Sequence, residues 1–538
     1  MKKLITSFLL VLITQAVSAQ TLSWVRKLTA GTNKNVYDAG VATDGQGNTY
    51  VAGNFRGDVD FGGTTISNAF GASFVAKYNA SGGLQWVKTM TISSNLNSIS
   101  AKRLCLDVSG NVMVVGTFSG TVNFSGTSVT ATYNLSIFLI KFDNQGIVQW
   151  IKQEGGSTGQ YHLPTSVTTD NAGNIYMCGY FNSTITFSGT TLNAIGNRDG
   201  FFAKYNSAGN MQWAKQFGGS GTNDDAYSIT TDGSTYVFVT GDFQKTTSFD
   251  ATDLTASGGT GHWDAFIAKY AITDGALQWV KPITATSNTT TFSIPNDIKA
   301  DASGNTYITG SFTSQVNFGG TILTAVGLNA LFVATYNNAG TLQWVKQAGA
   351  PDGNHLVNSY GVAIDASKNV YIAVSMYGTM NFDGTTVVPV NSAGDMLVAK
   401  YSNTGVFQWE KHTASTVSGN QSTSKGIDAD ASGNIYVIGL FQKDVDFFGT
   451  TLTSTATSLV FDEFILVLKQ NNCPLSLSPT ATVSSNQKAS VSVSTTGTNT
   501  IPNASNVIYQ GGNYVQLNVG FSAENGSVFT AVIAGNCQ

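Results

Sequence analysis

At 538 residues the chain is longer than one ordinary hydrophobic core requires, so it holds either several domains or one closed repetitive architecture. Only 11% of its residues are charged and it contains 58 Gly but 8 Pro, which favours an all-β protein with turns built from Gly, Asn and Asp. The net charge of -4 leaves no basic surface of the kind that binds nucleic acid or anionic membranes, and we predict neither partner.

The first 19 residues have the order of a cleavable secretory signal. Two lysines precede an apolar run, and small residues follow as far as Ala19. We therefore predict cleavage before Gln20 and a secreted or cell-surface protein. No later apolar run reaches the roughly 18 residues that a transmembrane helix needs, so no membrane span is predicted.

The four cysteines fall into two pairs with different surroundings. Cys105 and Cys178 occupy small-residue positions in apolar strands, which indicates buried free thiols. Cys473 and Cys537 bracket the last segment, where an oxidising compartment permits a disulfide, but sequence alone leaves that pairing open. Because the cysteines and the four scattered histidines show no zinc spacing, we predict no metal and no cofactor.

Self-similarity is the most informative feature of the sequence. Seven of the eight tryptophans recur at separations of 62 to 66 residues, and each stands in an LQWVK-like segment. Seven Asp residues, each followed by a tight Gly/Asn turn, recur with the same period. The tryptophans are Trp24, Trp86, Trp150, Trp213, Trp279, Trp344 and Trp409, and the turn residues are Asp44, Asp107, Asp170, Asp232, Asp301, Asp365 and Asp430.

Each unit contains four short strands. The first precedes the Asp, the second runs from the turn to a Gly-x-Phe step, the third is an FVAKY-like segment, and the fourth contains the Trp. An apolar-x-Phe step, as at Val59 to Phe61, follows the Gly-x-Phe step. Four-stranded antiparallel units repeated seven times predict an all-β fold, a seven-bladed β-propeller.

The phase of the repeat predicts how the propeller closes. The mature chain opens with a fourth strand around Trp24, and the seventh unit ends after its third strand, Phe464 to Lys469. We therefore expect the N-terminal strand to complete the last blade beside that third strand.

These residues resemble the bacterial secreted β-propeller repeat family, whose blades carry a D-x-x-G-N-x-Y-x-x-G signature. The resemblance covers Thr21 to Gln470 and implies a scaffold, with no catalytic motif to transfer. Unit four shortens the turn after Asp232, and unit six replaces Gly-x-Phe with Val374 to Met376, so we expect local distortion in both.

We therefore predict three segments: a signal peptide (1–19), a propeller (20–470) and a small C-terminal β module (471–538). The last segment lacks the repeat, and its stretches from Gly512 to Leu517 and from Gly526 to Ile533 resemble the coathanger-stack modules of bacterial secreted proteins. Such modules act in surface display, export or contact, and the residues do not choose among these.

A residue repeated in every unit is explained by packing that all units share. We therefore interpret the tryptophans as contacts between blades and not as a sugar-binding girdle. The repeated Asp residues are interpreted as turn caps and not as calcium ligands, because the turns lack the further oxygen ligands that calcium requires.

Function should lie where the repeat varies, in the longer connections between strands two and three and between units, which share one face. All four histidines fall there, with Trp263, and polar residues at the starts of the first strands should line the channel mouth. The predicted ligand-binding residues are Asp38, Asp225, Asp297, His162, His262, Trp263, His355 and His412.

The leading hypothesis is a monomeric, secreted, non-enzymatic scaffold that binds a glycan or a protein at this face. The first alternative is a lyase or hydrolase at the channel mouth, since propellers support such chemistry with paired carboxylates and His. Scarce Glu and the absence of a legible Ser/His/Asp order weigh against an enzyme. The second alternative is a structural surface or matrix component.

Overall fold

The computed structural model describes residues 20–30, 36–156, 161–257, 262–286, 292–351, 357–390, 394–414, 421–454 and 461–470, and eight short strands between 476 and 533. Residues 30 and 36–39 and the eight later strands are described by their backbone only. Every helix or strand within these ranges is a β-strand, which confirms the predicted all-β class. The described part of the chain contains no helix long and apolar enough to cross a membrane. The predicted signal peptide and the cysteines Cys473 and Cys537 lie outside the described residues.

The strands of the repeated region, in chain order, are β1 (Gln20–Ala30), β2 (Val36–Thr43), β3 (Thr49–Asp60), β4 (Thr65–Tyr78), β5 (Leu84–Ile92), β6 (Ser98–Leu106), β7 (Val112–Ser119), β8 (Thr121–Phe124), β9 (Thr127–Thr130), β10 (Ser136–Phe142), β11 (Val148–Glu154), β12 (His162–Thr169), β13 (Ile175–Phe181), β14 (Thr184–Phe187), β15 (Thr190–Asn193), β16 (Asp199–Tyr205), β17 (Met211–Phe217), β18 (Asp225–Thr231), β19 (Tyr236–Phe243), β20 (Thr246–Phe249), β21 (Thr252–Thr255), β22 (Asp264–Ala271), β23 (Leu277–Ala285), β24 (Ser293–Ala300), β25 (Thr306–Phe312), β26 (Gln315–Asn317), β27 (Ile322–Thr324), β28 (Ala330–Tyr336), β29 (Leu342–Gly349), β30 (Asn358–Ile364), β31 (Val370–Met376), β32 (Met380–Phe382), β33 (Thr385–Val387), β34 (Asp395–Tyr401), β35 (Phe407–His412), β36 (Gln421–Ala429), β37 (Ile435–Gln442), β38 (Asp444–Phe447), β39 (Thr450–Thr453) and β40 (Asp462–Gln470).

Within the described residues these strands form seven four-stranded units. In the first six units the neighbouring strands are antiparallel. The seventh unit places β1, which contains Trp24, beside β40. The units are β2-β3-β4-β5, β6-β7-β10-β11, β12-β13-β16-β17, β18-β19-β22-β23, β24-β25-β28-β29, β30-β31-β34-β35 and β36-β37-β40-β1.

The hydrophobic core lies between neighbouring units. One cluster joins Val75 of the first unit to Val114 and Phe138 of the second, and another joins Ile438 and Ile465 of the seventh unit to residues of the first. The first strands of the units also contact one another in order, and β36 contacts both β30 and β2. Each sheet therefore buries both faces against its neighbours, which explains why its strands are apolar on both sides.

A small hairpin follows the second strand of each unit and pairs with the fourth strand of the unit before it. β8, β26 and β32 pair with β5, β23 and β29, and single bridges such as Gly155 to Thr186 make the same contact elsewhere. The apolar-x-Phe step forms the inner strand of the hairpin, with both apolar side chains buried, as at Val122 and Phe124. The connection between strands two and three is thus largely a structural link between units and not the open loop that its length suggested.

The repeated Asp residues cap turns, as predicted. Asp301 Oδ1 accepts hydrogen bonds from the amides of Ser303 (2.9 Å) and Asn305 (3.0 Å). Its Oδ2 accepts bonds from the Asn305 amide group (2.8 Å) and the Tyr307 hydroxyl (3.2 Å). These four donors and the Lys368 ammonium at 2.7 Å satisfy the carboxylate within the turn and its neighbouring unit.

The repeated tryptophans connect neighbouring units, which also matches the prediction. The indole of Trp279 donates to the carbonyl of Asn338, in the turn between strands three and four of the next unit, at 3.1 Å, and five others bond likewise. Each ring packs on the Gly of that turn, as Trp279 does on Gly340. Trp409 differs, because its buried Nε1 has no partner among the described residues. The chain leaves its seventh unit after β40, so no turn between strands three and four is present there.

The two departures from the repeat do not shift the strand register. The shortened turn of unit four still places three backbone amides on Asp232 Oδ1, at 2.7 to 3.0 Å. In unit six Val374 pairs with Ser359 at the register that Gly occupies in the other units. The expected local distortion is therefore absent from the described strand pairings.

The second part of the chain contains eight further strands. These strands follow the compact unit formed by Leu22–Val467. In the tail, pairing is parallel, and most partners are 22 residues apart, as in Gln487 with Tyr509 and Asn506 with Val528. The strands are β41 (Ser476–Leu477), β42 (Gln487–Ala489), β43 (Ser492–Ser494), β44 (Asn499–Ile501), β45 (Asn506–Gly511), β46 (Tyr514–Gln516), β47 (Phe521–Ala523) and β48 (Val528–Ile533).

Candidate functional site

Every first strand contains a β-bulge at the same position. The pairing register shifts by one residue in β2, β6, β12, β18, β24, β30 and β36, five residues before the turn Asp in each case. We call the extra residues the bulge residues: Ala39, Lys102, Thr165, Tyr227, Asn296, Tyr360 and Lys425. Bulges re-aim side chains, and all six described bulge side chains are partly exposed although their neighbours are mostly buried.

The first strands enclose a cavity of about 230 Å³. Six of the seven first strands line it, and in five of them the lining begins one residue after the bulge, as at Arg103, Ser166 and Asp297. Five bulge residues, Lys102, Thr165, Tyr227, Asn296 and Lys425, therefore directly precede residues that line this cavity. Since they vary from unit to unit while their backbone position is constant, they are the best candidates for contacts specific to a ligand.

Side chains of neighbouring units contact each other at the bulges. Thr165 Oγ1 donates to the carbonyl of Ala226 at 2.8 Å, just before Tyr227. The Lys425 ammonium lies 4.6 Å from the ring centre of Tyr360. These contacts hold the bulge residues in defined positions without a ligand, which reduces the entropy lost on binding.

The densest polar cluster surrounds Tyr227. Its hydroxyl lies 2.9 Å from Asp242 Oδ2 and 3.4 Å from Asp225 Oδ2, whose residues pair across β18 and β19. The Arg198 guanidinium bonds to Asp225 Oδ2 at 2.5 Å and stacks on Tyr180, 4.5 Å from its ring centre. Both carboxylates are only 2% exposed, whereas Arg198 and the two tyrosine rings reach the surface.

Burial raises the pKa of both carboxyl groups of this pair. Burial, and then the negative charge of Asp225, raise the pKa of Asp242 well above its usual range. Burial also raises the pKa of Asp225, but the adjacent Arg198 opposes that shift. Of the two, Asp225 is the carboxyl group whose negative charge is stabilised by an adjacent cation. Covered in this way, the carboxylates position Tyr227 and Arg198 and are not accessible to a substrate.

Of the predicted site residues, Asp225 and Asp297 lie next to the bulge residues. Asp297 follows the bulge at Asn296, lines the inner cavity and accepts bonds from Ser228 Oγ (2.7 Å) and the Val362 amide (3.2 Å). It therefore links three units. Asp38 pairs with Gly53 in the backbone beside the Ala39 bulge, and its side chain is outside the described atoms.

The three predicted histidines that the structure describes have different surroundings. His162 is the first residue of β12, is buried and has no hydrogen-bond partner on either ring nitrogen among the described residues. His262 bonds to buried Asp264 at 2.9 Å. His412 ends β35 and bonds to Glu410 at 2.9 Å, so it lies in a strand and not in a connection. His355 lies outside the described residues.

Trp263 is half-buried and bridges Phe292 through its backbone. Within the described part of the chain, no ring contact or hydrogen bond joins Trp263 to the cluster around Tyr227. Among the described residues, no group of three or more His, Cys, Asp or Glu is arranged to hold a metal ion. Cys105 and Cys178 are free, and burial raises both thiol pKa values, that of Cys178 to about 12.

The sequence interpretation missed Tyr227, Asp242, Tyr180 and Arg198 as a group. A signal for two of them was present, because Tyr180 and Asp242 occupy the middle of the Gly-x-Phe step, whose flanking residues are constant in most units. The residue types of a single strand do not mark a bulge, because a bulge is defined by two residues of one strand facing one residue of its partner.

Comparisons with known proteins match the repeat. Residues 149–185 and 212–242 match the family model described as "Beta-propeller repeat". An uncharacterized WD repeat-containing protein, L264 of Acanthamoeba polyphaga mimivirus, is 25% identical over 312 residues, which are 47% of this chain and 22% of that protein. The chain thus matches about a fifth of that relative's length.

Solved structures resemble the chain only distantly. Quinohemoprotein alcohol dehydrogenase from Comamonas testosteroni is 10% identical, with a TM-score of 0.39, covering 85% of this chain and 77% of that one. A PL25 ulvan lyase is 10% identical, with a TM-score of 0.41, covering 77% and 93%. At such values these likenesses say nothing about this chain's chemistry. The family-model match identifies β-propeller repeats at residues 149–185 and 212–242 of this chain.

Proposed function

We propose that this protein is an exported, non-enzymatic β-propeller that binds a saccharide at the bulge residues. The seven units would be the blades of one closed ring. The contact of β36 with β2, the core shared by the first and seventh units, and the position of β1 beside β40 support that closure. Export rests on the leader-like order of residues 1–19.

The observation that carries the binding function is the row of varied, partly exposed side chains at a constant bulge. Tyr, Asn and Thr supply hydrogen-bonding groups and, in Tyr227 and Tyr360, aromatic faces for stacking, at a small cost in side-chain entropy. Thr165, Tyr227 and Asn296 directly precede residues that line a cavity, and concave sites with a few fixed polar groups are typical of small-ligand binding. A saccharide chain with one sugar at the cavity fits this chemistry better than a flat protein surface.

Paired carboxylates favour the alternative, a lyase or hydrolase at the channel mouth. Asp225 and Asp242 are paired, but both are covered and engaged with Tyr227 and Arg198. General acid catalysis requires direct reach to the reacting atom, so the arrangement supports positioning more than catalysis.

A glycan array with residues 20–538 tests the proposal. We expect binding to a defined saccharide class and a loss of at least tenfold in affinity for Tyr360→Ala. Tyr133→Ala, which removes another partly exposed tyrosine before β10, should bind normally. If wild type binds no glycan on the array but captures a protein that Tyr360→Ala does not capture, the ligand is a protein and not a saccharide. New reducing ends or unsaturated sugars after incubation would establish the enzyme alternative.

A further inference from the structure

A second cavity lies beside one of the bulge residues. It has a volume of about 450 Å³ and is formed by β3 and β4 of the first unit and β6 of the second. Its polar lining comes from Asn54, Arg56, Ser100 and Lys102, and Phe55, Ile99 and small residues complete the walls. We call it the Lys102 groove. Because Lys102 is itself a bulge residue, the groove adjoins the site at which we place the saccharide.

Two cations line the Lys102 groove, and no carboxylate does so among the described residues. Arg56 is exposed and donates to two uncharged acceptors, the carbonyl of Ala69 (3.0 Å) and Asn95 Oδ1 (3.4 Å). The ammonium group of Lys102 has neither a hydrogen bond nor an ion pair with any described residue. Lys102 is half-buried, and burial lowers its pKa, since no nearby negative charge offsets the loss of water.

The backbone that carries Lys102 is held firmly. The amide of Ala101 donates to Asn54 Oδ1 at 2.8 Å and to Ser73 Oγ at 3.0 Å, and the Ala101 carbonyl accepts a bond from Asn54 Nδ2 at 3.0 Å. The lysine therefore projects from a fixed base. A half-buried, unpaired cation gains more from an anionic ligand than an exposed one, because water screens it less.

We propose that the Lys102 groove binds a negatively charged group, a carboxylate or a sulfate, on the saccharide, so that the ligand is an acidic polysaccharide. This inference rests on the proposed saccharide-binding function and names its substrate class. Charge-assisted hydrogen bonds from Lys102 and Arg56 would select acidic chains over neutral ones.

The test compares matched ligands by calorimetry with residues 20–538. The ligands are an oligouronate, the same oligosaccharide with its carboxyl groups reduced to alcohols, and a sulfated oligosaccharide of equal length. We expect wild type to prefer an acidic ligand at least tenfold, and the relative affinities for uronate and sulfate distinguish the two groups. Lys102→Met should remove that preference without weakening the neutral ligand. Lys281→Met, which removes an exposed lysine of β23, should leave it unchanged.

The outcomes separate this inference from the proposed function. Equal binding of acidic and neutral ligands by wild type, or an acidic preference that survives in Lys102→Met, overturns the groove and leaves saccharide binding intact. Binding of no saccharide overturns the proposed function. In that case acetylation of Lys102 is measured with and without glucuronate or inorganic sulfate, with Lys281 as the reference. Protection of Lys102 shows that the groove binds an anion, and no protection overturns the groove. If Lys102→Met fails to fold, Lys102→Gln and the acetylation assay replace it.

Discussion

The two ends of the first strands of this protein contrast sharply. At the turn end, each unit repeats nearly the same residues, and Asp301 and its equivalents accept the same bonds from the same neighbours. At the bulge end the backbone geometry repeats, but the side chains do not. Conserved geometry with constant side chains indicates a shared structural task, whereas conserved geometry with varied side chains indicates a surface free to acquire specificity.

The largest effect on stability is expected at the turn end. Asp301→Ala removes the acceptor of four hydrogen bonds and the partner of Lys368, so we expect a loss of about 3 to 4 kcal/mol in the free energy of unfolding. Urea unfolding measures it. Asp274→Ala, at an exposed turn where one amide bonds to Asp274 at 3.0 Å, should lose less than about 1 kcal/mol. A wild-type melting temperature that falls on chelation would instead indicate a metal in these turns.

The next effect comes from His162, a buried residue that no other unit shares. Burial lowers its pKa to about 4, and the unfolded value is about 6.5. The unfolded chain therefore binds the proton first, and stability is lost as pH falls from about 6.5 to 4, by up to about 3 kcal/mol. His162→Leu should remove this acid-induced loss, as thermal unfolding at each pH will show.

His412 supplies a control of opposite sign. Its hydrogen bond to Glu410 raises the His412 pKa, so its contribution to stability is present below about 6.5 and lost as pH rises through the folded value. His412→Leu should therefore destabilise the protein mainly at acid pH. If wild type and His162→Leu lose stability equally as the pH falls, the acid-induced loss does not come from His162.

The smallest expected effect compares a repeated tryptophan, Trp279, with Trp409, which within the described part of the chain lacks the hydrogen bond of the others. Trp279→Phe loses an indole hydrogen bond of 3.1 Å to the next unit, while Trp409→Phe has none to lose among the described residues. We expect Trp279→Phe to cost about 1 kcal/mol more than Trp409→Phe in urea unfolding. Equal losses would mean that ring packing alone explains the repeated tryptophans.

Most of the fold could be predicted because one pattern recurs seven times, so that features shared by all units can be told from residues that vary between them. The four strands of each unit, the Asp turns and the inter-unit role of Trp279 and its equivalents all follow from that repetition. The hairpins were misread, because the Val-x-Phe step was assigned to a long connection although its alternation is that of a strand.

The candidate site was less predictable for a physical reason. A bulge depends on pairing between strands, which the order of residues in one strand does not record. Asp225 was found because it stands at the start of a first strand, but its partner Asp242 lies in a step that looked purely structural. The charge of Arg198 likewise acquires meaning only through its contact with Asp225 and Tyr180.

The hairpins that join each unit to the one before it bear on how the molecule unfolds. Because Thr284 and Ala285 of β23 share backbone bonds with the following unit, a boundary drawn between two repeats in sequence cuts through a continuous hydrogen-bonded ladder. A single repeat is then not an autonomous folding module, and losing one would leave both flanking sheets with a bare edge. We expect the repeated region to melt in one cooperative transition, unlike a linear array whose end repeats fray first.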